Sequence, residues 1–309
     1  LMEELRELIA RIESMDDPLE SIKELNLHLQ ESDDKRNEGL AKEHPEVERV
    51  DNILYGNVEV WHELDIYLPK KRMGKVPTII HIHGGGWTYG TKEIYQFFGL
   101  EFAKNGIGFV NFNYRLPPDV IFPGELDDVN RVMHWVAENG HYYDIDTENI
   151  ILMGDSAGGQ MTLQYLTIMK NPEFRKKFGY TIPNITVRTT ILNCAAAFLT
   201  LPGVLSFPTK AYFTEDVLIN QYDLLDTESY LTSSISPLMI TTSNYDMMLE
   251  ANARLDGYLL AKGIEHEFRI YGDIFNPRYH NFNYDIRDEI AQKCNSDIIA
   301  FINKCIDKQ

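Results

Sequence analysis

The sequence predicts an α/β protein with a mostly parallel central sheet and helices on both faces. Three observations carry that expectation. From about residue 48 onward, short β-rich apolar runs alternate with helical patterns, and such alternation builds parallel strands joined by crossover helices. The pentad Gly154-Asp155-Ser156-Ala157-Gly158 joins the apolar run 150–153 to a helical pattern that starts near Met161. A chain of 309 residues is also long enough for one large α/β domain or two ordinary ones.

Along the chain, residues 1–40 differ in pattern from residues 48–309. Leu5, Leu8, Ile9, Ile12 and Met15 recur at helical spacing, and Asp16-Asp17-Pro18 opens a second helix carrying Leu19, Ile22, Leu25 and Leu29. The polar stretch 32–39 reads as a break. Residues 50–54 and 58–68 read as two strands around the turn signal Gly56-Asn57. The strand at 76–82 empties into His83-Gly84-Gly85-Gly86-Trp87, and 107–113 is another buried run, followed by a helix over about 125–138. After the 150–153 strand and its helix come strands near 185–194, 237–242 and 268–271, the last two each followed by a helix. Residues 198–222, rich in Phe, Leu and Pro, fit neither sheet nor crossover. No internal repeat or low-complexity segment is present.

A formal net charge of −18 argues against nucleic acid and anionic membrane as partners, because phosphates are repelled, and it disfavours strongly anionic substrates. An acidic surface kept for solubility is the simplest account. With three cysteines, at least one cannot pair within the chain. Cys294 and Cys305 fall on one predicted helix, about 16 Å apart at its rise per residue, too far for a disulfide. Cys194 lies in an apolar run and reads as core. No Cys/His cluster has zinc spacing, and this usage fits a reducing compartment. The first residues, Leu1-Met2-Glu3-Glu4-Leu5, are acidic and lack a long apolar stretch, so neither a secretory signal nor a membrane span is expected in the chain as it stands. A cytoplasmic setting is the expectation, and a start at leucine leaves room for a removed leader.

The pentad solves a steric problem. A strand that turns at once into a helix forces its corner residue into a strained backbone, and small flanking glycines let the chain pass close by. Ser156 then stands clear of the sheet, ready for nucleophilic attack if a histidine takes its proton. Three consecutive glycines after a buried strand leave backbone N–H groups free to converge on a developing oxyanion. A plain loop or another kind of anion site is the alternative for Gly84-Gly85-Gly86. A phosphate loop is not, since no Gly-Lys-Ser/Thr follows, and the dinucleotide-binding glycine spacing is absent as well.

Together, His83-Gly84-Gly85-Gly86 and Gly154-Asp155-Ser156-Ala157-Gly158-Gly159 resemble the hormone-sensitive-lipase-like branch of the α/β-hydrolase esterases. The likeness covers roughly residues 50–305, with Asp65-Ile66-Tyr67-Leu68-Pro69, Asn113-Tyr114-Arg115-Leu116-Pro117 and Phe122-Pro123 as further points of contact. It implies an oxyanion hole from the N–H groups of Gly85, Gly86 and Ala157, with Gly84 as a further candidate. It also implies that the helices of residues 1–45 form part of a cap over the site, with a helical pair packed on the flank of the sheet as the alternative. The insertion at 198–222, which fits neither sheet nor crossover, is assigned as a second cap piece on a catalytic domain at 46–309.

Nine histidines compete for the role of base. Ligands of α/β sheets gather beyond the carboxyl ends of the strands. His280 lies in the loop after the last strand, whereas His266 begins that strand. His81 sits on a buried strand, His83 orders the glycine loop, and His28, His44, His62, His134 and His141 lie in cap, early-strand or crossover regions. The family's usual His-Gly-Phe stands here as His280-Asn281-Phe282, after a longer loop, 272–279. The chain order of this fold places the acid between 156 and 280. Asp246, just past the 237–240 run, is the choice over Glu250 and Asp273, and Asp246-Met247-Met248-Leu249-Glu250 is a variant of the family's Asp-x-Leu-x-Asp. Asp155 is expected to brace the elbow, and Trp87, Tyr114 and Arg115 the glycine loop. The resemblance implies a serine carboxylesterase for small acyl esters that needs no cofactor. Deacetylation of sugars or attack on amides is the rival activity, and a catalytically inactive binding module the rival class. Aromatic residues such as Phe207 and Tyr212 are compatible with a homodimer.

Overall fold

Pro18 and the acidic residue before it start the longer of two N-terminal helices. The computed structural model describes residues 2–307, and its first elements are α1 (Met2–Glu13) and α2 (Pro18–Asn37). The Asp17 side chain accepts the Leu19 N–H at 2.9 Å, and Pro18 takes a first-turn position where its missing N–H is not needed. The helix then runs through 32–37, which the sequence marks as a break. Partners elsewhere in the fold explain the difference. Asp33 accepts the Tyr89 hydroxyl at 3.0 Å and pairs with Arg36 at 2.6 Å, while Asn37 donates to the Ile94 carbonyl at 3.0 Å.

β1 (Val47–Leu54) and β2 (Glu63–Pro69) pair antiparallel. The second strand starts five residues later than its apolar pattern suggests. His62 turns inward, and its Nδ1 accepts the N–H groups of Asn57 and Val58 at 3.2 Å each, closing 57–62 into a turn. There follow β3 (Val76–Ile82), α3 (Lys92–Lys104), β4 (Gly108–Phe112), α4 (Gly124–Asn139), β5 (Ile145–Asp155), α5 (Ser156–Lys170), α6 (Pro172–Phe178) and β6 (Val187–Asn193). The short α7 (Glu215–Asn220) and α8 (Tyr222–Leu225) precede β7 (Leu238–Ser243), α9 (Leu249–Ala261), β8 (His266–Tyr271) and α10 (Glu289–Ile306).

The strands form one sheet in the order β1-β2-β4-β3-β5-β6-β7-β8. β2 meets β4 antiparallel, and every pairing from β4 to β8 is parallel, so the α/β class expected from the sequence is the class observed. Successive strand residues face opposite ways. Ile79, Phe109, Ile151 and Met239 pack with Phe98 and Phe102 of α3 and with Ile298 and Ile302 of α10. Their neighbours Ile80, Val110, Leu152 and Ile240 pack with Val129 and Met133 of α4, Met161 and Leu166 of α5, and Leu255 of α9. Two covered faces leave the carboxyl rim of the parallel strands as the place for a site.

The 198–222 segment folds as turns and the short α7 against that rim. Tyr212 and Phe213 turn inward: Tyr212 is 1% exposed and so presents no outer surface for a second copy, and Phe213 meets Trp87 edge-on at 5.1 Å, whereas Phe207 is half-buried and Tyr222 exposed. Glu228 tethers the segment by accepting the Phe198 N–H at 2.7 Å. α2 lies against the turn at 208–211, and its Asn26 donates to the Thr88 carbonyl at 2.9 Å. Among the described residues, no helix is long and apolar enough to cross a membrane.

Candidate active site

β5 passes into α5 without a connecting residue: Asp155 ends the strand and Ser156 begins the helix. Ser156 takes φ 49°, a left-handed conformation that disfavours residues with a Cβ by roughly 1–2 kcal/mol. The surroundings enforce it. A Cβ on Gly158 would stand 2.0 Å from the Ile82 carbonyl oxygen, so only glycine lets the corner lie this close to β3. The first turn of α5 is consequently made of small residues, which is why apolar periodicity becomes visible only from Met161.

His280 Nε2 lies 2.9 Å from Ser156 Oγ, and His280 Nδ1 lies 2.6 Å from Asp246 Oδ1. Asp246 occupies a tight turn after β7, where its Oδ2 accepts the Thr242 hydroxyl at 2.6 Å and its Oδ1 the Met248 N–H at 2.9 Å. Burial pushes this carboxyl upward. The bond and charge of His280 outweigh that, with Thr242 and Met248, and hold it below the usual carboxylate range. An ionised carboxylate only accepts, so Nδ1 carries the imidazole proton and Nε2 turns a lone pair toward the serine hydroxyl.

The long loop before His280 is moored at several points. Arg278 forks onto Asp288 at 3.0 and 2.6 Å, its N–H donates to Asn244 Oδ1 at 3.0 Å, and the Ser243 hydroxyl donates to the Tyr279 carbonyl at 2.9 Å. Asn281 replaces glycine in a left-handed turn at φ 57°, which asparagine tolerates better than most residues. Its side-chain amide donates to Asp155 Oδ2 at 2.8 Å. The two rival acids are engaged elsewhere. Asp273 accepts the N–H groups of Phe275 and Asn276 inside its own loop, and Glu250 pairs with Arg254 along α9.

In the glycine loop, one expected donor is diverted. The Gly84 N–H donates to Asp155 Oδ1 at 2.9 Å, so Gly84 braces the elbow and leaves the oxyanion set. Gly85 stands at φ 126°, where a Cβ would meet the Tyr89 carbonyl at 1.9 Å. Among the described residues, no backbone carbonyl accepts the N–H of Gly85, Gly86 or Ala157. Ala157 lies in the first helical turn, where N–H groups have no partner inside the helix.

His83 Nδ1 bonds the Gly84 carbonyl at 2.7 Å, and its ring stacks on Tyr114 at 4.1 Å. Complete burial lowers its pKa to about 4, which keeps the ring neutral. Tyr114 donates to the His83 carbonyl at 2.7 Å and Trp87 to Gln160 Oε1 at 3.1 Å, so both hold the loop. Arg115 does not. It forks onto buried Asp128 of α4 at 2.9 and 2.8 Å, beside His62 and Arg131.

Asp155 is fully buried and also accepts the Tyr95 hydroxyl at 3.2 Å. Burial raises its pKa, but hydrogen bonding and charge from neighbouring His81 bring it below the ordinary value. One residue that the sequence pattern assigns to the core belongs here too. Cys194 directly follows β6 on the same rim, at φ 47°, and its Sγ accepts the Asn281 N–H at 3.4 Å. The sequence signal that could have found it is its place at the carboxyl end of the 185–194 run, where the strand reaches the rim.

The BD-FAE family model matches residues 64–250. Versiconal hemiacetal acetate esterase of Dothistroma septosporum is 35% identical over 114 residues, covering 36% of this chain and 34% of that protein. Carboxylesterase NlhH of Mycobacterium tuberculosis is 24% identical over 213 residues, covering 65% of this chain and 66% of that one. The matched stretches therefore span between a third and two thirds of these relatives. Among solved structures, Esterase B from Lactobacillus rhamnosis superposes with a TM-score of 0.84 at 22% identity over 93% of this chain and 95% of its own. A hyperthermophilic esterase from the archaeon Pyrobaculum calidifontis gives 0.74 at 19% identity, over 97% of each chain. At those identities the likeness is one of fold. Because the matched span is more than half of the chain, the protein belongs to the BD-FAE family, with the fold of the α/β-hydrolase esterases and the sequence motifs of their hormone-sensitive-lipase-like group.

Proposed function

We propose that the protein is a serine carboxylesterase that hydrolyses short-chain acyl esters through an acyl-enzyme. The observation that carries this reading is the unbroken hydrogen-bond chain Asp246–His280–Ser156, set in the same rim as the uncommitted N–H groups of Gly85, Gly86 and Ala157. Ser156 Oγ attacks the ester carbonyl while its proton passes to His280 Nε2. Asp246 holds the imidazole in the right tautomer and stabilises the cation that forms. The carbonyl oxygen becomes an oxyanion and accepts from the three amides, each such donor being worth about 10²–10³ in kcat. Nε2–H then protonates the leaving alcohol, and water, deprotonated by the same nitrogen, releases the acid from Ser156.

Small acyl groups are favoured by the filled wall beside the glycine loop, where Trp87 is 2% exposed and Phe213 packs against it. Residues 1–45 and 198–222 act as the cap in this reading, supported by the contacts of α2 with the 208–211 turn and of Asn26 with Thr88. Three cysteines without disulfides suit a reducing, cytoplasmic setting.

Turnover of p-nitrophenyl acetate and butyrate by the full chain and by Ser156→Ala is the test. Activity that falls to background in the variant, and declines from short to long acyl chains in the parent, is expected. Full retention of activity in Ser156→Ala refutes the assignment.

A further inference from the structure

We propose that the rear of this site binds a thiophilic divalent cation, zinc foremost, through Cys194, Asp246 and His280, and that the bound metal switches the serine off. The binding half stands on geometry alone; the switch rests on the catalytic reading above.

One ligand atom from each of the three residues lies within 4.8 Å of the other two. They arrive from three separate places: the end of β6, the turn after β7 and the loop after β8. Sulfur, carboxylate oxygen and imidazole nitrogen together form a donor set that suits zinc. Ligand atoms around a tetrahedral zinc stand roughly 3.4–3.6 Å apart, so capture requires adjustments of about 1 Å. Water would supply the fourth ligand.

The outer contacts of such a site already exist. The Thr242 hydroxyl and the Met248 N–H fix the Asp246 carboxylate, and the Asn281 N–H points at Cys194 Sγ, where it offsets part of the rise that burial and the Asp246 charge impose on the thiol and that a bound cation would have to overcome. The Cys194 N–H is pinned to the Thr241 carbonyl at 2.7 Å, so the left-handed cysteine is held in place rather than free to relax. Of the three side chains, His280 is the one open to solvent, at 24%, which makes movement of its ring the way in.

The proton balance explains the switch. At rest Nδ1 carries the single imidazole proton and Nε2 faces Ser156 with its lone pair. A metal takes the Nδ1 lone pair, so the proton must sit on Nε2. The Cys194 thiol loses its proton to solvent as the sulfur–metal bond forms. Nε2–H now points at Ser156 Oγ as a donor and cannot accept the serine proton. The metal has selected the unproductive tautomer.

Titration of the full chain with Zn²⁺ and Co²⁺ tests both halves. Co²⁺ is expected to produce a thiolate-to-cobalt charge-transfer band that is absent in Cys194→Ala and present in Cys305→Ser. Zn²⁺ is expected to inhibit p-nitrophenyl acetate hydrolysis reversibly, with a chelator restoring the rate. Cys194→Ala, measured against its own zinc-free rate, should need at least about tenfold more zinc for half-inhibition. Cys194→Ser keeps the size of the side chain and supplies the same two readouts if the alanine variant folds poorly. A band that survives loss of Cys194, or the lack of any band in the parent, overturns the site. A Cys194-dependent band without loss of activity overturns the switch, and such a band in a chain without esterase activity refutes the catalytic reading but leaves the site standing.

Discussion

Two buried aspartates serve Ser156, and both are held below the usual carboxylate range, yet their surroundings differ in kind. On the Asp155 side the close partners stand outside the proposed proton transfers: the Gly84 N–H, the Tyr95 hydroxyl, the Asn281 amide and the buried His81 ring at 3.5 Å. On the Asp246 side the decisive partner is the His280 imidazole, which in the proposed mechanism gains and loses a proton in each cycle. The first carboxylate ties the glycine loop, α3 and the base loop to the elbow. The second follows the charge of the base. Identical side chains in similar burial therefore do mechanical work in one place and electrostatic work in the other, and the partner decides which.

Replacing each aspartate by asparagine separates these roles. Asp246→Asn should lower kcat by about 10³–10⁴, because the amide no longer enforces the productive tautomer. Its unfolding midpoint should move much less than that of the companion variant. A kcat within tenfold of the parent breaks the comparison on this side. Asp155→Asn should act mainly on stability. It turns an NH₂ group toward donors that a carboxylate accepts, a loss of about 2–4 kcal/mol readable in urea denaturation. An unchanged urea midpoint would mean that the brace is not mechanical. The smallest effect belongs to Asn281→Gly, which relieves the left-handed strain but drops the bond to Asp155. These terms oppose, and a net change within about 1 kcal/mol is expected in the same denaturation experiment.

The same contrast explains what the sequence could show. β3 was legible to its ends because an apolar run is bounded by Lys75 and the glycines. Ser156 was legible because the elbow leaves glycine almost no substitutes, and His280 and Asp246 because the parallel strands deliver their loops to one rim. Features set by distant partners were not. The polar stretch at 32–37 stays helical since Tyr89 and Ile94 capture its side chains, and Val58 leaves its apolar pattern for a turn closed by His62. Gly84 looked like its neighbours until Asp155 claimed its N–H, and Arg115 sits next to loop-bracing Tyr114 yet faces Asp128. Cys194 carries no local mark, because its place beside Asp246 depends on three strands adopting their order in the sheet.

The most direct measurement of the catalytic assignment is covalent labelling with a fluorophosphonate, read by intact mass and peptide mapping, on the parent, Ser156→Ala and His280→Ala chains. A single adduct on Ser156 in the parent, none in Ser156→Ala, and labelling slowed at least about 10²-fold in His280→Ala is the expected pattern. An adduct on another residue, or labelling of Ser156 at the same rate without the imidazole, would contradict it.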